Sequence, residues 1–337
     1  MDSHAPSPAL FFDTISAYER TEALRAAIEL ELFTHIAAGQ RSASQLGAAC
    51  KASPRGIRIL ADYLTVIGFL RKQGDQYELT PESDLFLKRG SPAYLGGTVD
   101  FLLTDELRAS FRSLTGAVRR GGTAISEEGT VSHDNPIWVA FARAMGPLMH
   151  LPSQLLAELA GNDTNQPLRV LDVAAGHGLF GIAVAKRFPK ASITALDWPN
   201  VLAVASENAR RAGIGNRHSL LPGSAFEVDW GGPYDLVLLT NFLHHFDIAG
   251  CEAIAAKAHA SLAPKGRVLT LDFIPEPNRI SPPSAATFAL TMLATTAHGD
   301  AYTFAEYERI FAKAGFARSE FHALPPTMQQ AVVSLKS

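Results

Sequence analysis

Apolar side chains recur at helical spacing in the first part of the chain. Over residues 12–38 they return every three or four positions and stop at Gly39, which predicts helices. Residues 44–50 predict a short helix. Ser53 and Pro54 then form the cap and first-turn proline of a further helix. This part of the chain is therefore expected to be mainly helical.

Two short runs, at residues 69–72 and 76–79, predict a hairpin after these helices. Helices followed by a two-stranded wing indicate winged-helix architecture, which raises the possibility of DNA binding. The helix before the wing carries Arg55 and Arg58, but apolar residues dominate it and Asp62 lies among its exposed positions. Because a helix that reads a major groove is rich in Arg, Lys, Asn and Gln, the pattern favours packing or dimerisation.

Residues 94–160 keep a helical pattern, interrupted by a loop at 126–134. Asn135 and Pro136 predict the start of a helix. This helix carries an apolar stripe that is either core or pocket lining, namely Trp138, Phe141, Met145, Leu148 and Met149. Residues 161–167 form the best linker in the chain.

After the linker, strands alternate with helices, which predicts a mostly parallel sheet and an α/β fold. The strand-like runs lie at residues 168–173, 191–196, 218–221, 234–239 and 266–271. A helix at 304–314 and strands at 316–321 and 329–334 complete the pattern. We therefore expect three parts, residues 1–95, 96–164 and 165–337.

Composition narrows the class of protein. The chain has 337 residues, 47% of them hydrophobic and 19% charged, with a formal net charge of −3. A slightly acidic chain is not expected to bind nucleic acid or anionic membranes. No apolar run approaches the ~20 residues of a membrane span, and no signal peptide is visible. The two cysteines, Cys50 and Cys251, form no disulfide framework, which fits a cytoplasmic protein.

Small residues fill the turn after the first strand of the predicted sheet, from Asp172 through Gly176 to Gly178. Such a turn lets backbone approach a ligand closely at the carboxyl ends of the strands. Asp197 ends the next strand, where a carboxylate can accept hydrogen bonds from ribose hydroxyls. With Gly181 the glycines also match a dinucleotide fingerprint. Asp172 would repel a pyrophosphate but suits the amino group of a sulfonium amino acid, which favours S-adenosylmethionine.

A second cluster follows the strand at 234–239, at the same sheet edge. His244 is placed there to take a proton from a substrate near neutral pH. Asp272 ends the next strand and can fix the imidazole tautomer. A metal site at His244, His245 and Asp247 is disfavoured, because consecutive residues seldom converge on one ion.

These motifs together resemble the small-molecule O-methyltransferase family that includes caffeic-acid and hydroxyindole methyltransferases and many bacterial natural-product enzymes. The turn from Asp172 to Gly178, Asp197, residues 223–226 and the Phe-Leu-His-His-Phe segment at 242–246 follow the family's order and spacing. The resemblance covers nearly the whole chain. It implies an all-helical winged-helix dimerisation domain, a helical bridge that lines the acceptor pocket, and a class I methyltransferase domain with a Rossmann-like sheet.

The resemblance also assigns roles by position. His244 corresponds to the general base and Asp272 to its acidic partner, with no metal. The cofactor-binding positions for S-adenosylmethionine and its product S-adenosylhomocysteine are Asp172, Ala174, Gly176, Gly178, Asp197, Trp198, Ser224, Ala225, Phe226 and Thr240. Phe141 and Met145 match a pattern whose methionine lines the acceptor pocket, and Phe288 and Met292 are expected to join them.

Several positions depart from the family pattern. Ala174 replaces the first glycine of the turn, and Ser224 replaces the acidic residue beside adenine. Thr240 replaces the lysine four places before the base, and His245 replaces the aspartate after it. A second acidic partner of the base would fall near Ala301, where Asp300 is the nearest carboxylate.

The sequence thus predicts a homodimeric O-methyltransferase of secondary metabolism that acts on a hydroxyl of a small aromatic acceptor. Two alternatives stay open at this point. One is a relative that binds S-adenosylmethionine but catalyses hydroxylation or decarboxylation. The other is a DNA-binding regulator. The acceptor itself is not predicted, and a histidine base favours oxygen over nitrogen or carbon as the methylated atom.

Overall fold

The computed structural model describes residues 6–127, 129–130 and 137–337. The chain divides into two compact units, Met1–Val99 and Asp100–Ser337. Residues 100–160 thus fall in the same unit as the sheet. The three-part division at residues 95 and 164 stays a prediction.

The first unit contains six α-helices, one 3₁₀ helix (Gly96–Thr98) and one hairpin within its described residues. The helices are α1 (Ala9–Ile15), α2 (Ala17–Glu29), α3 (Leu32–Ala37), α4 (Ala43–Ala49), α5 (Pro54–Val66) and α6 (Pro81–Phe86). Strands β1 (Leu70–Gln73) and β2 (Gln76–Leu79) pair antiparallel, so the predicted hairpin is confirmed and the unit is not entirely helical.

Local capping explains where these helices begin. Ser42 and Gln45 form a reciprocal capping box at α4, and Ser53 caps α5 with Pro54 in its first turn, as predicted. The predicted helical stretch at 12–38 is interrupted twice. Ser16 separates α1 from α2, and Glu31 separates α2 from α3 with a left-handed φ of 52°.

Asp62 links the hairpin to α5 through hydrogen bonds and ion pairs. Its carboxylate accepts hydrogen bonds from Lys72 at 2.5 Å and from the Tyr77 hydroxyl at 2.7 Å, and it pairs with Arg58 at 3.1 Å. These donors hold the pKa of Asp62 below its usual value. Two of the basic side chains on this face are therefore paired with a carboxylate within the unit, which does not favour phosphate binding there.

The second unit is a seven-stranded sheet with helices on both faces. Its strands are β3 (Arg169–Val173), β4 (Ser192–Asp197), β5 (His218–Pro222), β6 (Tyr234–Thr240), β7 (Leu262–Asp272), β8 (Arg318–Ala323) and β9 (Gln330–Leu335). They lie in the order β5-β4-β3-β6-β7-β9-β8. Strand β9 is antiparallel to β7 and β8, and the other pairs are parallel. The mostly parallel sheet is confirmed.

The helices of this unit fall into two groups. Before the sheet come α7 (Val99–Leu102), α8 (Asp105–Arg112), α9 (Leu114–Arg120), α10 (Ile137–Ala144) and α11 (Gly146–Glu158). Within the sheet region lie α12 (Leu179–Arg187), α13 (Pro199–Arg211), α14 (Ile248–Ser261), α15 (Pro283–Thr295) and α16 (Phe304–Lys313). None of the described helices is both long and apolar enough to cross a membrane.

Two sequence predictions need correction here. The single helix expected to carry the stripe from Trp138 to Met149 is two helices, which meet at Met145. Pro147 has no N–H to continue the helical hydrogen bonds of α10, so a new helix starts beside it. Helix α15 was not predicted. The predicted helix start at Asn135 and Pro136 lies outside the described residues.

Candidate active site

A cavity of about 600 Å³ opens at the carboxyl ends of the parallel strands. Segments that follow β3, β4, β5, β6 and β7 line it, together with residues of α10, α11 and α15. The cavity lies entirely within the second unit. Open α/β sheets bind their ligands at this edge, so the position agrees with a ligand site.

The small-residue turn after β3 forms one wall of the cavity. Ala174, Gly176 and Gly178 all take left-handed φ values, of 53°, 57° and 73°. A side chain on Gly176 would meet only the Ala174 carbonyl at 3.9 Å and would otherwise fill the cavity. A side chain on Gly178 would strike Ala205 of α13 at 3.1 Å. Gly176 therefore makes room for a ligand, whereas Gly178 makes room for a helix.

Asp172 and Asp197 have different positions around this turn. Asp172 is completely buried and is not part of the cavity lining; one of its oxygens accepts the N–H of Gly181 at 3.0 Å. Burial raises its pKa to about 7. Asp197 lines the cavity and accepts the N–H groups of Gly176 at 2.8 Å and Trp198 at 2.7 Å. Burial raises its pKa to about 6, so it is mostly ionised at neutral pH.

His177, in the middle of the turn, was not predicted as a site residue. It is buried and lines the cavity, with its ring stacked against Phe141 at 6.5 Å between centroids. Its Nδ1 accepts the N–H of Leu179 at 3.1 Å, so the ring proton is on Nε2. Burial lowers the pKa of His177 to about 4 and keeps it neutral.

The loop after β5 extends the wall on the other side of Asp197. Gly223 donates its N–H to the Asp197 carbonyl at 3.0 Å, which brings the following residues against the cavity. The remaining predicted cofactor positions line it as well, namely Trp198, Ser224, Ala225, Phe226 and Thr240. Phe226 packs edge-on against Phe246 at 4.9 Å, so this part of the wall is apolar.

His244 and Asp272 form a buried pair at the next part of the wall. His244 Nδ1 lies 2.6 Å from Asp272 Oδ1, and the two side chains are 4% and 1% exposed. Asp272 also accepts the N–H of Phe273 at 2.8 Å and, through Oδ2, the hydroxyl of Tyr307 at 2.8 Å. Because a carboxylate only accepts hydrogen bonds, the proton of His244 is on Nδ1 and Nε2 is the free acceptor.

Tyr307 was missed by the sequence analysis. It lies on α16, where its spacing is that of an ordinary core residue, and it is fully buried. Burial and the nearby Asp272 charge raise its pKa well above the usual value, so it stays a hydrogen-bond donor. No local sequence signal separates it from a packing residue.

His245 and Asp300 do not join this pair. His245 is placed by a contact of 3.1 Å between Nδ1 and the Phe242 carbonyl, and burial lowers its pKa well below the usual value. The Asp300 carboxylate lies 3.5 Å from Arg279 and accepts the N–H of Ala301. The described residues contain no group of three or more His, Cys, Asp or Glu that could hold a metal ion.

Aromatic and methionine side chains form much of the remaining cavity lining. All four predicted acceptor residues line it, namely Phe141, Met145, Phe288 and Met292. Phe288 stacks on Phe273 at 4.1 Å and meets the His244 ring edge-on at 4.6 Å. Trp138 packs edge-on against both Phe141 and His245. The space beside His244 is therefore suited to a flat apolar molecule.

Fold and cavity together define a class I methyltransferase: a nucleoside-type turn and a histidine–carboxylate pair share one cavity at the edge of a parallel sheet. Comparison with known proteins agrees. Residues 131–317 match the O-methyltransferase domain and residues 12–89 match the O-methyltransferase dimerisation domain. The chain therefore belongs to the O-methyltransferase family, and the predicted resemblance is confirmed.

Individual relatives cover the chain almost completely. It is 27% identical over 316 residues to the tetracenomycin polyketide synthesis 8-O-methyl transferase TcmO of Streptomyces glaucescens, with 93% of each chain covered. A crystal structure of a protein assigned as an O-methyltransferase from Nostoc punctiforme is 53% identical, with a TM-score of 0.95 over 98% of this chain and 100% of that one. Human N-acetylserotonin methyltransferase in complex with SAM shares the fold, at 21% identity and a TM-score of 0.85 over 100% of this chain and 99% of that one.

Proposed function

We propose that this enzyme transfers a methyl group from S-adenosylmethionine to a hydroxyl of a flat, largely aromatic acceptor, with His244 as the general base. The observation that carries the proposal is the buried pair of His244 and Asp272, whose imidazole lines the same cavity as the glycine turn. The relative TcmO is an 8-O-methyl transferase, which agrees with a hydroxyl as the site of reaction.

The residues around the turn fit the cofactor. Asp197 is ionised at neutral pH and has acceptor capacity left for two ribose hydroxyls after binding two backbone N–H groups. Because Gly176 has no side chain, a ligand can contact the backbone at this position. Phe226 and its neighbours offer an apolar slot for adenine. Asp172 does not line the cavity but stabilises the start of α12 by accepting the N–H of Gly181.

When bound, S-adenosylmethionine supplies an electrophilic methyl group. The task left to the protein is to align the acceptor and to remove its proton. His244 presents Nε2 as a proton acceptor, because Asp272 fixes the proton on Nδ1. As the acceptor oxygen loses its proton to Nε2, the Asp272 carboxylate stabilises the positive imidazolium. Tyr307 in turn holds the Asp272 carboxylate in place.

The acceptor slot positions the reacting hydroxyl. Phe273 and Phe288 form a stacked pair next to the His244 ring, and Phe141 and Met145 approach from α10 and its end. A flat acceptor between these side chains buries apolar surface and excludes water from the base. Burial of apolar surface favours binding of the acceptor, and exclusion of water protects the bound sulfonium from reaction with solvent.

The functional unit is a homodimer formed through the amino-terminal unit. That unit matches the family's dimerisation domain, and α1 with its flanking residues exposes several large apolar side chains. They are Leu10, Phe11, Phe12, Ile15 and Tyr18, each at least 60% exposed. A second copy of the chain is the partner, rather than nucleic acid. We place the enzyme in the cytoplasm, in line with its free cysteines.

Replacement of His244 by alanine tests the proposal. Methyl transfer from radiolabelled S-adenosylmethionine to a panel of phenols should fall by about 10²–10⁴-fold, while calorimetry should show nearly unchanged binding of S-adenosylhomocysteine. His298→Ala is the matched control, because His298 is exposed and is not part of the cavity lining. Near-normal turnover in His244→Ala would remove the base from the mechanism. Failure of the native enzyme to bind the cofactor would overturn the whole proposal.

A further inference from the structure

Three polar or polarisable side chains contact one another at the cavity: Asn241 after β6, Gln329 just before β9, and Met149 of α11. Gln329 Nε2 donates to Asn241 Oδ1 at 2.8 Å and lies 3.6 Å from Met149 Sδ. Asn241 Nδ2 lies 3.5 Å from the same sulfur. All three residues line the cavity, and Gln329 is only 3% exposed. Neither Asn241 nor Gln329 was predicted as a site residue, and Met149 was expected to be either core or pocket lining.

The thioether determines how both amides are oriented. A thioether sulfur can accept a hydrogen bond but cannot donate one, so Asn241 must turn its NH₂ group toward Met149. Its carbonyl oxygen then faces Gln329, which must present its own NH₂ group. Both donors of the Gln329 amide are therefore directed into the cluster, and its carbonyl oxygen Oε1 is left over.

Oε1 of Gln329 has no hydrogen-bond partner among the described residues. Solvent in the cavity can reach this oxygen, but an acceptor that displaces the solvent leaves it unpaired, at a cost in affinity, unless the acceptor supplies a donor. The sheet order places β9 beyond β7, on the opposite side of β6 from the cofactor turn after β3. Gln330 pairs directly with Asp272 in the sheet, so Gln329 lies next to the strand end that carries the partner of His244, and Oε1 is assigned to the acceptor end of the cavity.

We infer that the acceptor carries a second hydrogen-bond donor, a hydroxyl or an N–H, that binds Gln329 Oε1 while the reacting hydroxyl faces His244. This inference rests on the proposed function, since it specifies the acceptor of that same site. A monohydroxy aromatic would leave Oε1 unpaired and lose affinity, whereas a diol or amino-phenol of the correct geometry would pair it.

The charges of the cavity lining limit the chemical class of the acceptor further. Neither lysine nor arginine occurs among the described residues that line the cavity, and the carboxylate of Asp197 is at the nucleoside end. An acceptor carboxylate would lose its hydration without gaining a cationic partner there. The acceptor class is therefore a neutral, flat aromatic with two donor groups, rather than an aromatic acid.

Binding measurements test this inference without requiring turnover. The native protein, saturated with S-adenosylhomocysteine, is titrated with 1-naphthol, 2-naphthol, a set of dihydroxynaphthalene isomers and a hydroxynaphthoic acid, using calorimetry. At least one diol should bind about tenfold more tightly than either naphthol, and the acid should bind more weakly than both. Gln329→Met keeps the approximate length of the side chain but removes its carbonyl, so the diol should then bind no more tightly than the naphthols.

Gln330→Met is the matched control, because Gln330 is the adjacent glutamine and is not part of the cavity lining. Its Oε1 accepts the N–H of Ile274. It should retain the preference for the diol. Equal binding of diols and naphthols to the native protein, or binding of neither, would overturn the inference without any variant. A diol preference that survives in Gln329→Met would also overturn it. Failure of the proposed function would have a different signature, namely selective binding of the diol without methyl transfer to it.

Discussion

Removal of the Asp272 charge and removal of the Tyr307 hydroxyl should change proton uptake by His244 in opposite directions. In Asp272→Asn, the amide oxygen can still face His244 and Phe273, while the NH₂ group faces the Tyr307 hydroxyl, which can rotate to accept. The tautomer of His244 is then retained, but the carboxylate that stabilises its imidazolium is lost. In Tyr307→Phe the carboxylate remains and loses one donor, so its attraction for the imidazolium increases.

The magnitudes follow from the hydrogen bonds involved. A bond to a charged partner contributes about 1.5–3 kcal/mol, so Asp272→Asn should lower the plateau of kcat by about 10²-fold. The acidic limb of its pH–rate profile should shift to lower pH by about one unit, because the imidazolium is less favoured. Tyr307→Phe should lower the plateau by less than about tenfold. Its acidic limb should shift to higher pH by up to about one unit, since the bond is lost from the ionised carboxylate.

The assay is kcat against pH from 5 to 9 at saturating cofactor and acceptor. Tyr302→Phe is the control, because Tyr302 is also buried but donates its hydroxyl to the Phe246 carbonyl rather than to Asp272. Its acidic limb should coincide with that of the native enzyme. The Cys251 thiol adds no charge near Asp272, because burial raises its pKa and keeps it neutral. The proposed coupling of Tyr307, Asp272 and His244 would be refuted if the acidic limbs of Asp272→Asn and Tyr307→Phe shifted in the same direction. It would also be refuted if the acidic limb of Tyr307→Phe coincided with that of Tyr302→Phe.

Two further predictions concern the buried carboxylates near the turn. Burial raises the pKa of Asp172 to about 7, so the folded protein loses stability as pH rises from about 4 through 7, by at most about 4 kcal/mol from this group. Asp172→Asn keeps an acceptor for the Gly181 N–H and should remove this loss of stability. Its Tm should therefore be higher than that of the native protein at pH 8 but not at pH 4.5. Equal Tm values at pH 8 would contradict the prediction. Burial raises the pKa of Asp197 to about 6, and its ionised form is the better acceptor for ribose hydroxyls. Calorimetry should therefore find S-adenosylhomocysteine about tenfold weaker at pH 5 than at pH 7, with no such dependence in Asp197→Asn; a pH-independent native affinity would refute this role.

The reaction class could be predicted from the sequence because its signals are local. The glycine turn, Asp197 and His244 each follow a short apolar strand, and parallel strands bring their carboxyl ends to one edge. Asp272 could be added for the same reason. No knowledge of side-chain packing was needed to bring these four positions together.

The residues that the sequence analysis missed have no local signal of this kind. Tyr307 has the spacing of a core residue on α16 and reaches Asp272 across 35 positions of sequence. Gln329 meets Asn241 across 88 positions. His177 was read only as part of a glycine-rich turn. Which interior polar groups meet depends on side-chain packing between distant elements, and the pattern of apolar and polar residues does not specify it.

The proposed cofactor end and the proposed acceptor end of the cavity are also built from different parts of the molecule. Backbone conformation forms the cofactor end, through the left-handed φ values of Ala174 and Gly176 and the N–H groups held by Asp197. Side chains form the acceptor end, where the orientation of Gln329 depends on Asn241 and Met149. Substitution at the acceptor end can therefore change the acceptor while the cofactor turn keeps its shape. This separation explains why the sequence of this chain predicts the transferred group better than the molecule that receives it.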